Sequence, residues 1–387
     1  MHPHQHTHAH AHSRRDFFSR AFGGALAGAS ILEEAFMRAT WARAQSPGAS
    51  TNLFTIEKVA DGVYAALARP QILTNCNAAI FVNSRDVLVV DAHSKPSAAA
   101  ALIAQIKKDI TTKPVRYLVN SHFHWDHTQG NAAYKATGAK VDIIASDTTK
   151  QLMTQLARNR LKESLDGVPQ QIDTVQARLA KATSNADKER YTDLLRQLKA
   201  YQIEMKSYTL ELPTITFAKS YVIKDAAGDL HIDFHGRAHT AGDIAVFSPQ
   251  KRVIAAGDIV IGLTPNLNDG YPRPWPATID SVGQLGFDSI IPGHGPVQQG
   301  RARMAQMRSY IEELTERIEE GKKAGKPLAE LQKTLTPTSI RSLQANGYGS
   351  YITDNLNNFT VYIGQRTAIE DRIAGNIEAI YKNLDRA

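Results

Sequence analysis

A chain of 387 residues with 42% hydrophobic and 21% charged residues is long enough for one large α/β domain plus extensions, and its composition is globular, not disordered or fibrous. The formal net charge is +7, to which residues 1–44 contribute +2 (Arg14, Arg15, Arg20, Arg38 and Arg43 against Asp16, Glu33 and Glu34), and the remaining +5 is too modest to point to nucleic acid. A single cysteine, Cys76, excludes an internal disulfide, and no apolar run is long enough for a stable membrane anchor.

The chain opens with histidines alternating through His2, His4, His6, His8, His10 and His12. They belong to no ligand-bearing loop, and a disordered, removable tail accounts for them more simply than a metal-binding tract. Ser13-Arg14-Arg15-Asp16-Phe17-Phe18 then resembles the twin-arginine export motif. A mildly apolar stretch over 21–32 follows, and Ala42-Arg43-Ala44 has the A-x-A pattern of a cleavage site. Residues 1–44 are therefore expected to be a signal peptide, with the twin-arginine translocase as transient partner and the periplasm or the exterior as destination.

Beyond it, residues 53–57, 63–67, 78–82 and 87–90 predict paired strands, with Asn83-Ser84-Arg85-Asp86 as a hairpin turn. The spacing of apolar residues predicts a helix over 96–110, with Pro96 suited to its start. A strand at 115–120, a helix around 129–136 and a strand at 141–145 follow. Residues 147–207 form a charged insertion in which Ile172, Val175 and Leu179, then Leu194, Leu195 and Leu198, recur at helical spacing on either side of a polar stretch. That pattern predicts a helical hairpin, either a cap on the active site, a dimer contact or a solvated excursion. Residues 276–291 repeat the order of helix then strand, and the chain beyond 301 reads as helices over 301–322 and 355–384.

The chemistry is concentrated in His122-Phe123-His124-Trp125-Asp126-His127, directly after the apolar run 115–119. A lone histidine would usually be a surface or a satisfied core residue; three imidazoles and a carboxylate on one loop at a strand end are natural ligands for zinc and its neighbours. Extended backbone puts His122 and His124 on the same side. Asp126 and His127 can turn toward a second point a few ångströms away, so the cluster supplies part of two metal sites.

This His-x-His-x-Asp-His pattern resembles that of the metallo-β-lactamase superfamily, and the rest of the chain carries the matching later loops. His239-Thr240-Ala241-Gly242-Asp243 is similar to the family's Gly-His-Thr-x-Gly-Asp loop, with Ala238 in place of the glycine; Gly257-Asp258 and Pro292-Gly293-His294-Gly295-Pro296 each end a short strand. The resemblance implies a first metal on His122, His124 and His239, a second on Asp126, His127 and His294, and Asp258 bridging them. Asp91 matches an aspartate that supports a ligand from behind, although a turn residue after a strand would look the same. The resemblance also implies an αβ/βα four-layer sandwich over 52–300, interrupted by the helical insertion and followed by a C-terminal helical extension over 301–387.

On that basis the expected activity is hydrolysis of a small-molecule ester, thioester, lactone or related substrate with two zinc ions per chain, iron or manganese being the alternatives. Two divalent cations about 3.5–4 Å apart can share a hydroxide whose pKa has fallen to about 7. Asp126 or Asp258 could assist proton movement, although a carboxylate committed to metal is a weak base. The family's true β-lactamases lack a carboxylate at the position of Asp258, which makes cleavage of β-lactam amides a lesser reading. An iron-dependent persulfide dioxygenase and a non-catalytic metal carrier are the readings from other classes. Tyr271 and Trp275, in the loop Asp269-Gly270-Tyr271-Pro272-Arg273-Pro274-Trp275-Pro276, are expected either to wall the substrate, with Arg273 as an anion contact, or to form a structural crossover.

Export is expected to need the arginine pair. Replacing Arg14 and Arg15 together by lysine should leave uncleaved, folded protein in the cytoplasm, as cell fractionation and immunoblotting would show; normal accumulation outside the cytoplasm would overturn the assignment.

Overall fold

The computed structural model describes residues 53–68, 76–359 and 368–386; the expected signal over 1–44, with its Arg14–Arg15 pair and histidine tract, lies outside them. Strands β1 (Phe54–Ala60), β2 (Val63–Ala68), β3 (Ala78–Val82) and β4 (Val87–Val90) form an antiparallel meander. Helix α1 (Pro96–Asp109) then carries the chain to β5 (Val115–Val119), parallel to β4. After the short helices α2 (Trp125–Thr128) and α3 (Asn131–Lys135) comes β6 (Asp142–Ser146), and after the long pair α4 (Asp147–Lys181) and α5 (Asn185–Lys206) comes β7 (Ile215–Phe217); both strands are added parallel. The result is a seven-stranded sheet in the order β1 to β7.

The second half builds a six-stranded sheet from β8 (Ser220–Ile223), β9 (Leu230–Asp233), β10 (Ala245–Ser248), β11 (Val253–Gly257), β12 (Ser289–Pro292) and β13 (Gln298–Gln299). Helix α6 (Trp275–Gly283) makes the crossover that sets β12 parallel to β11. Helices α7 (Ala302–Lys323), α8 (Leu328–Thr334), α9 (Arg341–Gln344), α10 (Tyr348–Phe359) and α11 (Ala368–Asn383) follow.

Period-2 alternation decides the layers. On β3, Ala79 and Phe81 enter the core between the sheets while Ala78 and Ile80 face α1; on β4, Leu88 and Val90 face in and Val87 and Val89 face out. In the second sheet Val253, Ala255 and Ile291 meet the first sheet, and Ile254, Ala256 and Ile290 join Ile279, Ile311 and Ile377 of the outer helices. Both faces of these strands are dry, which is why they read as unbroken apolar runs and not as polar–apolar alternation. Helix, sheet, sheet, helix gives the αβ/βα sandwich expected from the sequence. Residues from 302 onward share the core of the second sheet's outer face.

Two segments differ from expectation. The helix expected over 129–136 is α3, and a further short helix, α2, takes in Asp126 and His127, which the sequence placed on a loop. Gly130 separates the two helices: its amide donates to His93 O at 3.1 Å, and a Cβ there would lie 1.7 Å from Ala92 O. The C-terminal helix expected over 355–384 begins earlier, as α10, and α11 is a separate helix after residues outside the described set.

The parallel pairs β4–β5 and β11–β12 end at the same edge of the sandwich, where Asn77 fastens one sheet to the other. Its Nδ2 donates to Pro292 O at 2.9 Å and Gly295 O at 2.8 Å, and its Oδ1 accepts from Ala68 N at 3.1 Å. Asn77→Ala leaves these partners unpaired and should cost about 1–3 kcal/mol, seen as a lower urea midpoint at unchanged slope.

Candidate metal centre

All seven expected side chains converge at that edge. Strand β5 ends in the loop carrying His122 and His124, and the turn of α2 brings Asp126 and His127 round beside them. The β9–β10 loop supplies His239, the end of β11 supplies Asp258, and the turn after β12 supplies His294. Among the described residues, three triplets have one ligand atom each, all within 4.8 Å of one another: His122, His124 and His239; Asp126, His127 and His294; and His122, His127 and Asp258. His122 and His127 are fully buried, and His124 and His294 retain some exposure.

The first triplet is a tight face of imidazoles: His122 Nε2 lies 3.1 Å, and His239 Nε2 2.9 Å, from His124 Nδ1. In the second, His294 Nε2 lies 3.3 Å from both His127 Nε2 and Asp126 Oδ2. Asp258 stands between the two, its Oδ2 3.4 Å from His239 Nε2 and 3.3 Å from His294 Nε2. Its Oδ1 is buried and has no hydrogen-bond partner. Gly293 permits this approach, since a Cβ there would sit 2.1 Å from that oxygen.

Four of the five histidines turn their outward ring nitrogen to an acceptor. His127 Nδ1 meets Asp91 Oδ2 at 2.8 Å, His239 Nδ1 meets Asn266 O at 2.9 Å, His124 Nε2 meets Asp269 Oδ2 at 2.8 Å, and His122 Nδ1 meets Ser121 Oγ at 3.0 Å. Ser121 in turn donates from Oγ and from its backbone N to Asp91 at 2.8 Å. These acceptors place the imidazole protons on the outward nitrogens, so four lone pairs point inward. Lone pairs opposed at about 3 Å repel unless a cation lies among them, and the donor set therefore fits metal ions.

The electrostatics agree. Burial, reinforced by neighbouring imidazoles, pushes His122 well below the ordinary range, and burial brings His239 down to about 4, which keeps both rings neutral. Burial also opposes charge on His127 and His294, yet Asp126 and Asp91 hold the first well above its ordinary value, and Asp258 and Asp126 lift the second to about 9. The carboxylates thus demand positive charge at this spot. A divalent cation meets that demand in place of protons.

The surrounding loops are held by means the sequence shows only in part. Asp243 closes the His239 loop by accepting from Thr240 N at 2.6 Å and Thr240 Oγ1 at 2.8 Å. Asp91 and His93 both adopt positive φ, 70° and 65°, a left-handed turn that few side chains accept and that aims the Asp91 carboxylate at His127 and Ser121. Asp269, Asn266 and Ser121 were not foreseen as supports. Arg160, on α4 of the insertion, was not foreseen at all: it pairs with both oxygens of Asp269, at 2.7 and 2.9 Å, and lies 4.9 Å above the Phe123 ring. A small cavity of about 30 Å³ beside His124 is lined by Phe123, Trp125, Thr128, Gln129, Arg160 and Tyr208.

Of the two readings of the loop with Tyr271 and Trp275, the structural crossover fits the buried Trp275. Trp275 is 0% exposed, donates from its indole N to Ile259 O at 3.0 Å, and packs its ring 5.7 Å from that of His239. Tyr271 lies under Arg237, and Arg273 pairs with Glu319 at 3.1 Å on the surface. The loop is the structural crossover.

A sandwich with this ligand edge defines a metallo-β-lactamase fold. The family model for the metallo-beta-lactamase superfamily matches residues 72–294, more than half of the chain, and the chain belongs to that superfamily. It is 25% identical over 234 residues to a linear primary-alkylsulfatase of Pseudomonas sp. (strain ATCC 19151), which is 57% of this chain but only 42% of that relative's length. A metallo-beta-lactamase from Pontibacter korlensis is similar with a TM-score of 0.48 at 17% identity, over 67% of this chain and 99% of the other.

Because Trp275 is core, Trp275→Ala should cost about 3–5 kcal/mol of stability while the folded fraction keeps its KM. Denaturant unfolding and steady-state kinetics on the same sample check this; a changed KM at unchanged stability would restore the wall.

Proposed function

We propose that this protein is a hydrolase working with two divalent cations, zinc foremost, on an ester of a small molecule, and that Asp258 bridges the two cations. The observation that carries the reading is the position of Asp258: one oxygen lies 3.3–3.4 Å from a histidine of each triplet and the other is buried without a hydrogen bond. The first cation would take His122, His124 and His239, and the second Asp126, His127 and His294. The alkylsulfatase relative adds sulfate esters to the carboxylic esters, thioesters and lactones expected from the sequence.

When bound, such a cation pair supplies a water acidic enough to lose its proton near neutral pH and an electrophile for the substrate oxygen. The protein's part is positional. Asp91, Asn266 and Asp269 fix the imidazole tautomers, while Asp126 and Asp258, kept ionised by the imidazoles around them, oppose the positive charge and are the groups in reach of a transferred proton. Export through the twin-arginine translocase to the periplasm belongs to the same reading, since that route carries proteins already folded around their metal.

Asp258→Ala and Asp258→Asn should each lose one metal preferentially, by about 10–100-fold in affinity, and lower kcat far more than they raise KM. Elemental analysis beside turnover on sulfate-ester, carboxylic-ester, thioester, lactone and β-lactam panels decides. Two retained metals with full turnover would falsify the bridge; one iron per wild-type chain would favour the dioxygenase, and two metals without turnover a carrier.

A further inference from the structure

The first triplet depends on a short stretch of chain that is itself gripped from two sides. Within residues 266–269, Asn266 O accepts from His239 Nδ1 and the Asp269 carboxylate accepts from His124 Nε2, at 2.9 and 2.8 Å. From one side the insertion helix α4 reaches in with Arg160, whose two terminal nitrogens meet the two Asp269 oxygens. From the other, α11 presents Asn383, which is 7% exposed and donates from Nδ2 to Asn268 O at 2.7 Å and Leu267 O at 3.3 Å. The second triplet uses none of this. Its His127 is oriented by Asp91, which follows β4 and belongs to the sandwich itself.

We propose that residues 266–269 are a clamp on the first metal site, and that Arg160 and Asn383 are positioning residues through which the helical insertion and the C-terminal helix set that site's affinity without touching the second. This rests on the two-cation reading above.

The physical case is one of tautomer and orientation. An imidazole can offer the inward nitrogen only while its proton stays on the outward one, and an outward acceptor held in place fixes both the tautomer and the ring's rotation. A carboxylate serves better than a carbonyl, but Asp269 left alone in this half-buried position would be free to rotate. The bidentate Arg160 pair fixes its plane and directs Oδ2 to His124. The Asn266 carbonyl is fixed by its backbone, so what holds it is whatever holds residues 267 and 268, namely Asn383. Insertion and C-terminal helix therefore act on two different histidines of the same triplet.

The test is metal release from the full-length, zinc-loaded chain by titration with a chromophoric chelator, with far-UV circular dichroism to confirm folding. Wild type should release zinc in two steps. Arg160→Ala and Asn383→Ala should each weaken one and the same step by about 10–100-fold, leaving the other unchanged, and Arg160→Lys, which keeps the charge but not the fork, should fall between. Asp91→Asn, which holds His127 directly but reaches His122 only through Ser121, should weaken the opposite step more than this one. Cobalt-loaded protein gives a second readout, since the visible spectrum of only one of the two ions should change in Arg160→Ala. If Arg160→Ala and Asn383→Ala move different steps, move both steps equally, or move neither while wild type shows two, the clamp is overturned. A wild type that binds no zinc would instead overturn the two-cation reading.

Discussion

Five imidazoles and two carboxylates meet in triplets whose ligand atoms lie within 4.8 Å of one another, largely out of water, an arrangement that calls for compensating charge. Burying an unpaired carboxylate costs several kcal/mol, and opposed imidazole lone pairs add repulsion. Here the two acids, Asp126 and Asp258, sit among His127, His239 and His294, so that the site is a place of demanded positive charge. Everything around it serves to keep these seven groups from rearranging into ordinary hydrogen bonds with one another.

The sandwich does this by rigid delivery. Four of the five contributing segments leave from the C-terminal ends of β4, β5, β11 and β12, strands with both faces packed and hence fixed in register. The loops add local commitments: left-handed backbone at Asp91 and His93, and close backbone approach at Gly293. Such backbone costs on the order of 1–3 kcal/mol per residue and persists only where the surroundings over-determine it. The two sheets are also joined at this edge by backbone, through Asn77 N to Gly293 O at 2.7 Å and Ile244 N to Ser121 O at 2.9 Å. Each of those bonds lies beside a ligand loop, so the separation of the sheets and the geometry of the site are set together.

The sandwich and the seven side chains that converge at its edge were legible because they are local in sequence. Apolar runs such as 115–119 end in turns bearing histidine or aspartate, residue types natural to metal ligation. Asp91 could be named for the same reason but not distinguished from a turn residue; only the 2.8 Å contact with His127 does that. The short helix after His124 was missed because the constraint that ends it lies at Gly130, through a contact with Ala92 that no local pattern encodes. Trp275 illustrates a choice the sequence leaves open. An aromatic residue in a Pro-rich loop near a ligand looks the same whether it faces substrate or core, and the deciding partner, Ile259 O, belongs to another segment.

Arg160 was beyond the reach of sequence for a further reason. It stands in a charged helix beside Arg158, which is exposed, and nothing in spacing or type separates the two. What singles it out is Asp269, in a loop on the far side of the second half of the chain, and Asp269 matters only because His124 turns its outward nitrogen there. The same holds for Asn383, one polar residue near the end of an amphipathic helix. The ligands of such a site are written into its strand ends, but the residues that orient them come from whichever peripheral elements pack nearby. On the clamp proposed above, the insertion and the C-terminal helix would change what the metals experience while every candidate ligand stays in place.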